Sequence, residues 1–259
     1  MLGVIRFTSP WDWTAFGKHP ALKDYFRSGA RERLVKSFAE WVRTGFQMAA
    51  AQKEPLSSLC SWRFWVRGPQ KEMLACGLLR DSSDSLGRRY PIFVLGSGAL
   101  QDWEEHWDLL PLACETSWVQ MEYLSIRPFS SLKELEKELR QIQPPRAEWT
   151  EMIGRRGSLE DSLGLPASQG AIPNWEDWES RSALGIQDPN FFLPLNQEPA
   201  VDDAAKVNVG HFFLKKKLKE IPNAVFMGGT LEKTFLGVFN RPLLPADFKE
   251  MWTIASKKG

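Results

Sequence analysis

The unbroken run Met73-Leu74-Ala75-Cys76-Gly77-Leu78-Leu79 constrains this chain most, because it offers no polar position that could face water. A strand with that pattern has to be covered on both faces, so it belongs in the middle of a sheet with further structure packed above and below. Just upstream, Trp62-Arg63-Phe64-Trp65-Val66-Arg67 is rich in the aromatic and β-branched residues that favour strands, and Gly68-Pro69-Gln70-Lys71 reads as a turn. Together these segments predict a β-hairpin. The polar stretch Arg80 to Arg89 then leads into Ile92-Phe93-Val94-Leu95, another short strand, with Pro91 near its start where a missing N–H is tolerated.

Helical patterns flank these strands. Over residues 30–51, Leu34, Phe38, Trp41, Gly45 and Met48 recur at spacings of four and three and form one apolar stripe, while Arg31, Arg33, Glu40 and Arg43 occupy the other faces. Trp103 to Leu110 reads as a short helix. Ser131-Leu132-Lys133-Glu134 has capping-box spacing and opens a helix carrying Leu132, Leu135, Leu139 and Ile142, which stops before Pro144-Pro145. From there to about Asn190 the periodicity fades and Gly, Pro and Ser increase, which predicts a long irregular connection over 146–190, with Trp149, Trp175 and Trp178 docking parts of it on the main body. Strands are expected again at Val209–Leu214, Ala224–Met227 and Thr234–Phe239, with Gly228-Gly229 starting the connection between the last two. Pro245 and Asp247 suit the first turn of a final helix whose apolar face is Phe248, Met251 and Trp252. The fold class read from this order is α/β, with a mixed, largely antiparallel sheet and helices packed on it. Residues 1–145 form the main unit, and 191–259 pack on the same body.

Composition excludes several functions. The 259 residues carry 33 Lys and Arg against 32 Asp and Glu, a net charge of +1, so no general field gathers nucleic acid or anionic lipid. At 43% hydrophobic and 25% charged, the chain has enough apolar surface to fold. The start MLGVIRFTSPWDW has no apolar core or cleavage site of a secretory signal, and no window reaches the ~18 to 20 apolar residues that span a bilayer. A cytoplasmic location without membrane insertion is therefore expected. Cys60, Cys76 and Cys114 are far apart and read as buried reduced thiols; His19, His106 and His211 are equally scattered, so neither a metal nor another cofactor is expected. The 12 tryptophans are the compositional oddity, open to a core, a carbohydrate site or a protein interface.

Two polar segments carry the candidate site. In Phe16-Gly17-Lys18-His19-Pro20-Ala21-Leu22-Lys23-Asp24-Tyr25-Phe26, Gly17 permits close backbone approach, Pro20 stiffens the chain and Asp24 can hold backbone N–H groups ahead of the helix. In Asp84-Ser85-Leu86-Gly87-Arg88-Arg89-Tyr90-Pro91, an acid, a glycine and two arginines at a strand entrance fit either an anion site or a buried Arg–carboxylate clasp. Turn chemistry by itself explains such residues, and a partner-binding surface is the other reading. Paired-carboxylate catalysis needs the fold to join Asp24 and Asp84, and no neighbouring His or Cys makes a nucleophile–base couple. Gly17-Lys18 lacks the remaining residues of a phosphate-binding loop. Lys215-Lys216-Lys217-Leu218-Lys219 reads as a solvated strand edge or, alternatively, a contact for acidic partners or phosphate. Trp11-Asp12-Trp13 and Trp175-Glu176-Asp177-Trp178 read as core or loop-clamping residues, with interface anchors the alternative.

These segments resemble the TagF (ImpM) family of type VI secretion-associated proteins. The family's N-terminal motif is similar to Phe16, Gly17, Lys18, Pro20, Asp24, Tyr25 and Phe26, and its later motif to Ser82, Asp84, Gly87, Arg88, Tyr90 and Pro91. Trp41 corresponds in character to its helix, and Trp62 and Phe64 to its Trp-x-Phe strand. The resemblance covers residues 5–100 best and fades after about 145. His19 stands where the family has an apolar residue, and Lys23 where it has Gly, which predicts a changed turn.

The resemblance implies a layered α/β sandwich and a cytoplasmic, non-catalytic regulator that represses type VI secretion after translation by binding the Fha scaffold protein. Gly17, Lys18, Pro20, Asp24, Asp84, Gly87, Arg88 and Arg89 would then organise or form the partner surface. Two rivals are a structural adaptor of the secretion apparatus and a phosphate-handling hydrolase. The hydrolase requires Asp24, Asp84, Arg88 and Arg89 to converge on a ligand-sized void. Oligomeric state is not legible in the chain.

Overall fold

The computed structural model describes residues 11–29, 33–51, 59–162, 188–195 and 203–256. Eight strands and seven helices occur among them. In chain order they are β1 (Asp12–Gly17), β2 (Phe26–Gly29), α1 (Arg33–Ala50), β3 (Ser61–Arg67), β4 (Met73–Arg80) and β5 (Ile92–Ala99). A 3-10 turn at Trp107–Leu109 leads into α2 (Leu110–Ala113), α3 (Glu115–Ile126), α4 (Leu132–Leu139) and α5 (Trp149–Ser162). Then come β6 (Asn190–Pro194), α6 (Asp203–Lys217), β7 (Ala224–Gly229), β8 (Thr234–Phe239) and α7 (Pro245–Ser256).

One sheet, ordered β2-β1-β5-β4-β3-β7-β8-β6, contains all the strands, and every pairing is antiparallel. The apolar run sits in its middle as β4, paired with β3 on one side and β5 on the other. Alternation along each strand divides the side chains between two cores. Leu74, Cys76 and Leu78 join Trp65, Ile92, Val94 and the helices that follow β5, whereas Ala75 and Leu79 join Trp62, Phe64, Phe93, α1 and α7. The result is a three-layer α/β sandwich, which is why β4 has no polar face.

The layer formed by α1 and α7 is aromatic. The Phe64 ring stacks between Phe38 and Phe226, each 5.0 Å away between centroids, and Trp41 meets Phe248 edge-on at 5.5 Å. The helices approach closely at Gly45, where an added Cβ would lie 2.4 Å from the Phe248 Cβ. Trp13, Trp41, Trp62, Trp65, Trp103, Trp107, Trp118 and Trp252 are all buried, so the tryptophan excess is mainly core. Cys60, Cys76 and Cys114 are buried, and burial pushes the Cys114 thiol well above its ordinary pKa, as does its neighbour Cys76.

Several local expectations are corrected. Val209–Leu214 is not a strand but part of α6. A short apolar run has no periodicity of its own, and here Val209, His211, Phe213 and Leu214 are buried around a helix wedged into the core. The lysine run is accordingly the end of α6, with three lysines in its last turn, where positive charge is favourable. Lys215 donates to Asp108 Oδ1 at 2.7 Å, Arg156 of α5 binds the other oxygen of that carboxylate, and Lys216 lies 4.1 Å over the Phe212 ring. Met48 is exposed, and the buried stripe of α1 instead includes Val35, Val42 and Ala49. The segment expected to be irregular opens with α5, and Trp149 donates to Gln101 O at 3.0 Å and stacks on His106. Trp175 and Trp178 lie outside the described residues. The capped helix forms as α4, with Ser131 Oγ accepting from Glu134 N at 3.3 Å, but it ends at Leu139 and Ile142 is buried in the following turn.

His211 holds α6 to the sheet. Trp65 Nε1 donates to its Nε2 at 3.2 Å, and its Nδ1 lies 2.9 Å from Val207 O. A tryptophan N–H only donates, so Nε2 must accept and Nδ1 must carry the proton, which describes a neutral imidazole. Burial lowers its pKa to about 4, against smaller raising effects from Val207 O and Asp108. The unfolded chain binds this proton at higher pH than the native state does. The stabilisation is therefore full above about pH 6.5 and is lost as pH falls from there toward about 4, a change of about 3 kcal/mol. Urea midpoints measured across that range should decline in the wild type, and His211→Gln should flatten the decline. Gly45→Val should cost about 2 kcal/mol by forcing α1 off Phe248, read as a lower urea midpoint at unchanged slope.

Candidate functional site

The ends of β1 and β4 and the starts of β2, β3, β5 and β8 lie at one end of the sheet, so the register brings both polar segments together. Gly17 closes β1 with φ +129°, and a Cβ there would lie 2.1 Å from Pro91 O. Only glycine lets this strand pass so close to the entrance of β5. Leu22 O then accepts from Ser85 N at 2.8 Å and ties the loops backbone to backbone.

Asp84 is the centre of the arrangement. Its side chain is fully shielded from solvent, yet its carboxylate accepts from Lys18 Nζ at 3.0 Å, Arg88 Nε at 2.7 Å, and the Leu86 and Arg88 backbone N–H groups at 3.0 Å each. Burial alone would raise its pKa, but the Lys18 ammonium, the Arg88 N–H groups and Leu86 N–H outweigh it and hold the carboxyl well below the usual range. Gly87 completes the turn with φ +78° and donates to Asp84 O at 2.9 Å. Lys18, itself only 5% exposed, also donates to Arg88 O at 3.3 Å and lies 4.8 Å over the Tyr25 ring. Arg88 Nη2 donates to Lys23 O at 2.7 Å, with Asp24 Oδ1 at 3.7 Å. The segments thus form an Arg–carboxylate clasp in which Asp84 is buried but Arg88 is half exposed, with a buried lysine as its third member.

The remaining motif residues surround this clasp. Arg89 pairs with Asp81, and the Ser83–Arg89 bridge closes the loop behind it. Tyr90 is buried against Tyr25 and Phe46, at 4.8 and 5.2 Å between ring centroids, and burial pushes its hydroxyl up to about 12. Asp24 precedes β2, not a helix, and accepts from Tyr25 N at 2.8 Å while its side chain stays exposed. Pro20 lines an adjacent depression with Arg89. His19 is fully buried; its Nδ1 accepts from Ala21 N at 3.1 Å and its ring packs 5.3 Å from Phe129. Burial lowers the His19 pKa, opposed by the Leu124 backbone, so an uncharged imidazole replaces the family's apolar residue. Lys23 is not left-handed, so the missing glycine imposes no positive φ here.

Asp81 and Tyr25 join the site without being candidate site residues in the sequence. Asp81 follows β4 directly, and its role depends on a pairing across the loop that no sequence spacing marks. Tyr25 is visible in the sequence only as one position of the N-terminal motif.

Chemically, the clasp is satisfied from within. Asp24 and Asp84 share one guanidinium but differ sharply in exposure, and Arg88 is held by Asp84 and Lys23 O. What faces outward is a rim of Tyr25, Asp24, Leu86 and the outer side of Arg88. Such a rim can be recognised by another surface. Among the described residues, no cluster of three or more His, Cys, Asp or Glu side chains could hold a metal ion, and no helix is long and apolar enough to cross a membrane.

An α/β sandwich with two motif loops locked at one sheet end defines the class of protein, and comparison supplies the family. Residues 14–142 match the TagF N-terminal domain, described as type VI secretion system-associated, so this part of the chain belongs to that family. Among solved structures, PA0076 from Pseudomonas aeruginosa is similar at 18% identity and a TM-score of 0.42. The match covers 51% of this chain and 63% of that one, so it spans less than two thirds of the length of PA0076. No curated protein matches the chain. The strands β6, β7 and β8 lie beyond the matched residues but continue the same sheet.

Removing one clasp partner should expose the coupling. Asp84→Ala leaves the Lys18 ammonium buried without its counter-ion and should lower the denaturation midpoint more than the double variant Lys18→Met/Asp84→Leu. Because the native carboxyl titrates below its unfolded value, its stabilisation is full above about pH 4 and is lost as pH falls through the depressed native pKa. Midpoints measured from pH 6 downward should therefore fall less steeply in Asp84→Asn than in the wild type.

Proposed function

We propose that this protein is a non-catalytic, cytoplasmic regulator that represses type VI secretion after translation by binding the Fha scaffold protein. The observation that carries the reading is the convergence of both motif loops of a TagF domain on one end of the sheet, where they present the rim of Tyr25, Leu86 and Arg88. A clasp that already fixes its backbone lowers the ordering cost of binding. A net charge of +1 favours a protein partner over nucleic acid or membrane.

Crosslinked capture from cells expressing type VI components should recover the Fha scaffold with the wild type. Tyr25→Ala/Leu86→Ser, changed at exposed positions, should recover at least about tenfold less, equivalent to about 1.4 kcal/mol. Deleting the gene should raise secretion. Absence of any secretion component from the capture would overturn the binding reading, and abolished secretion would replace repression with an adaptor role.

A further inference from the structure

Arg80, the last residue of β4, lies at the same end of the sheet but outside the clasp. Its Nη1 donates to Ser125 Oγ at 3.1 Å, and that hydroxyl donates on to Glu122 O at 2.7 Å. A guanidinium offers five N–H groups in a fixed fork, and among the described residues Arg80 forms no ion pair. The surrounding carboxylates are engaged elsewhere. Glu122 binds Arg63 Nε at 2.7 Å and Nη2 at 3.0 Å, Glu115 binds Arg63 Nη1 at 3.0 Å, and Asp81 binds Arg89. Counted by charge this cluster is balanced; counted by contact, Arg63 holds two carboxylates and Arg80 none. Burial disfavours the Arg80 charge more than Glu122 and Asp81 favour it, so its pKa lies below the ordinary arginine value.

Arg80 and Leu59 both line two clefts, of about 680 and 380 Å³, and so mark the divide in one groove. Apolar side chains border it on either side. Leu59 is 68% exposed and Ile126 58% exposed at the smaller cleft, and Leu231, on the turn between β7 and β8, is fully exposed at the larger. Single exposed apolar residues are ordinary. Three bordering a groove whose central cation lacks a carboxylate form a pattern with a matching ligand. A small anion would use Arg80 but not the apolar border, whereas an extended chain segment would use both.

We infer that this groove docks an extended segment of a partner protein, placing an Asp or Glu side chain on Arg80 and apolar side chains against Leu59, Ile126 and Leu231. The inference deepens the partner-binding reading above and rests on it. The carboxylate meets the guanidinium fork in two parallel hydrogen bonds, which is the geometry Arg80 has unused.

The test uses the full chain and a fluorescein-labelled peptide Gly-Leu-Ser-Glu-Ile-Leu-Gly, compared with the same peptide carrying Gln for Glu. Fluorescence anisotropy should show the Glu peptide binding at least about tenfold more tightly, and R80Q should reduce it to the Gln level. L59D and L231D alter exposed positions that the fold does not depend on, and each should weaken the Glu peptide by charge repulsion. Equal binding of the two peptides, or indifference to R80Q and L59D, overturns the proposal. So does binding of inorganic phosphate at Arg80 without any binding of peptide. Capture of the Fha scaffold, measured on the same variants, separates the two readings. Capture that survives R80Q removes the groove and leaves the partner, whereas Arg80-dependent peptide binding without capture leaves the groove and removes the partner.

Discussion

Two-sided burial of β4 is the constraint on which the rest of the structure depends. A strand apolar at every position before its last cannot sit at a sheet surface, so helices have to cover both faces. That requirement brings α1 and α7 to one side and the helices after β5, together with α6, to the other. It also sets where polar chemistry can occur. With both faces buried, the loops at the strand ends are the places where charged side chains can gather, and the Asp84 clasp and Arg80 both lie at one such end.

The clasp and the groove use buried charge differently. Asp84 accepts four hydrogen bonds and neutralises a lysine that would otherwise be costly to bury, so its role is to hold two loops in one conformation. Arg80 keeps most of its donors unused beside open clefts. Satisfied networks make a surface rigid, and unsatisfied donors at its edge give that surface something to recognise.

The hairpin, the short apolar strand β5 and the final helix are legible because each advertises itself over a few neighbouring residues. Trp62 to Arg67 has strand composition, and Phe248, Met251 and Trp252 share one helical face. Of the eight candidate positions, Gly17, Asp84, Gly87, Arg88 and Arg89 are legible as residues of a turn or a clasp, and together with Lys18 they are part of the linked loops. Pro20 and Asp24 stand at their border. Val209–Leu214 reads as a strand but folds as a helix, because a short apolar segment inside a core has no polar face to reveal its period. Asp81 is not legible in the sequence because its partner is chosen by a chain reversal, nor is Arg80, because an unused donor exists only relative to neighbours in space.

What the sequence by itself determined is therefore local: which runs must be buried, where turns must form, and which residue types stand at the strand entrances. Those follow from side-chain polarity, backbone freedom and spacing, all of which act between near neighbours. Only the tertiary structure decided that Lys18 and Asp84 meet, that α6 is a helix pinned through His211, and that Arg63 takes the carboxylates Arg80 does without. Pairing between distant charges depends on strand order and register, and these are set by how the whole apolar surface is best removed from water.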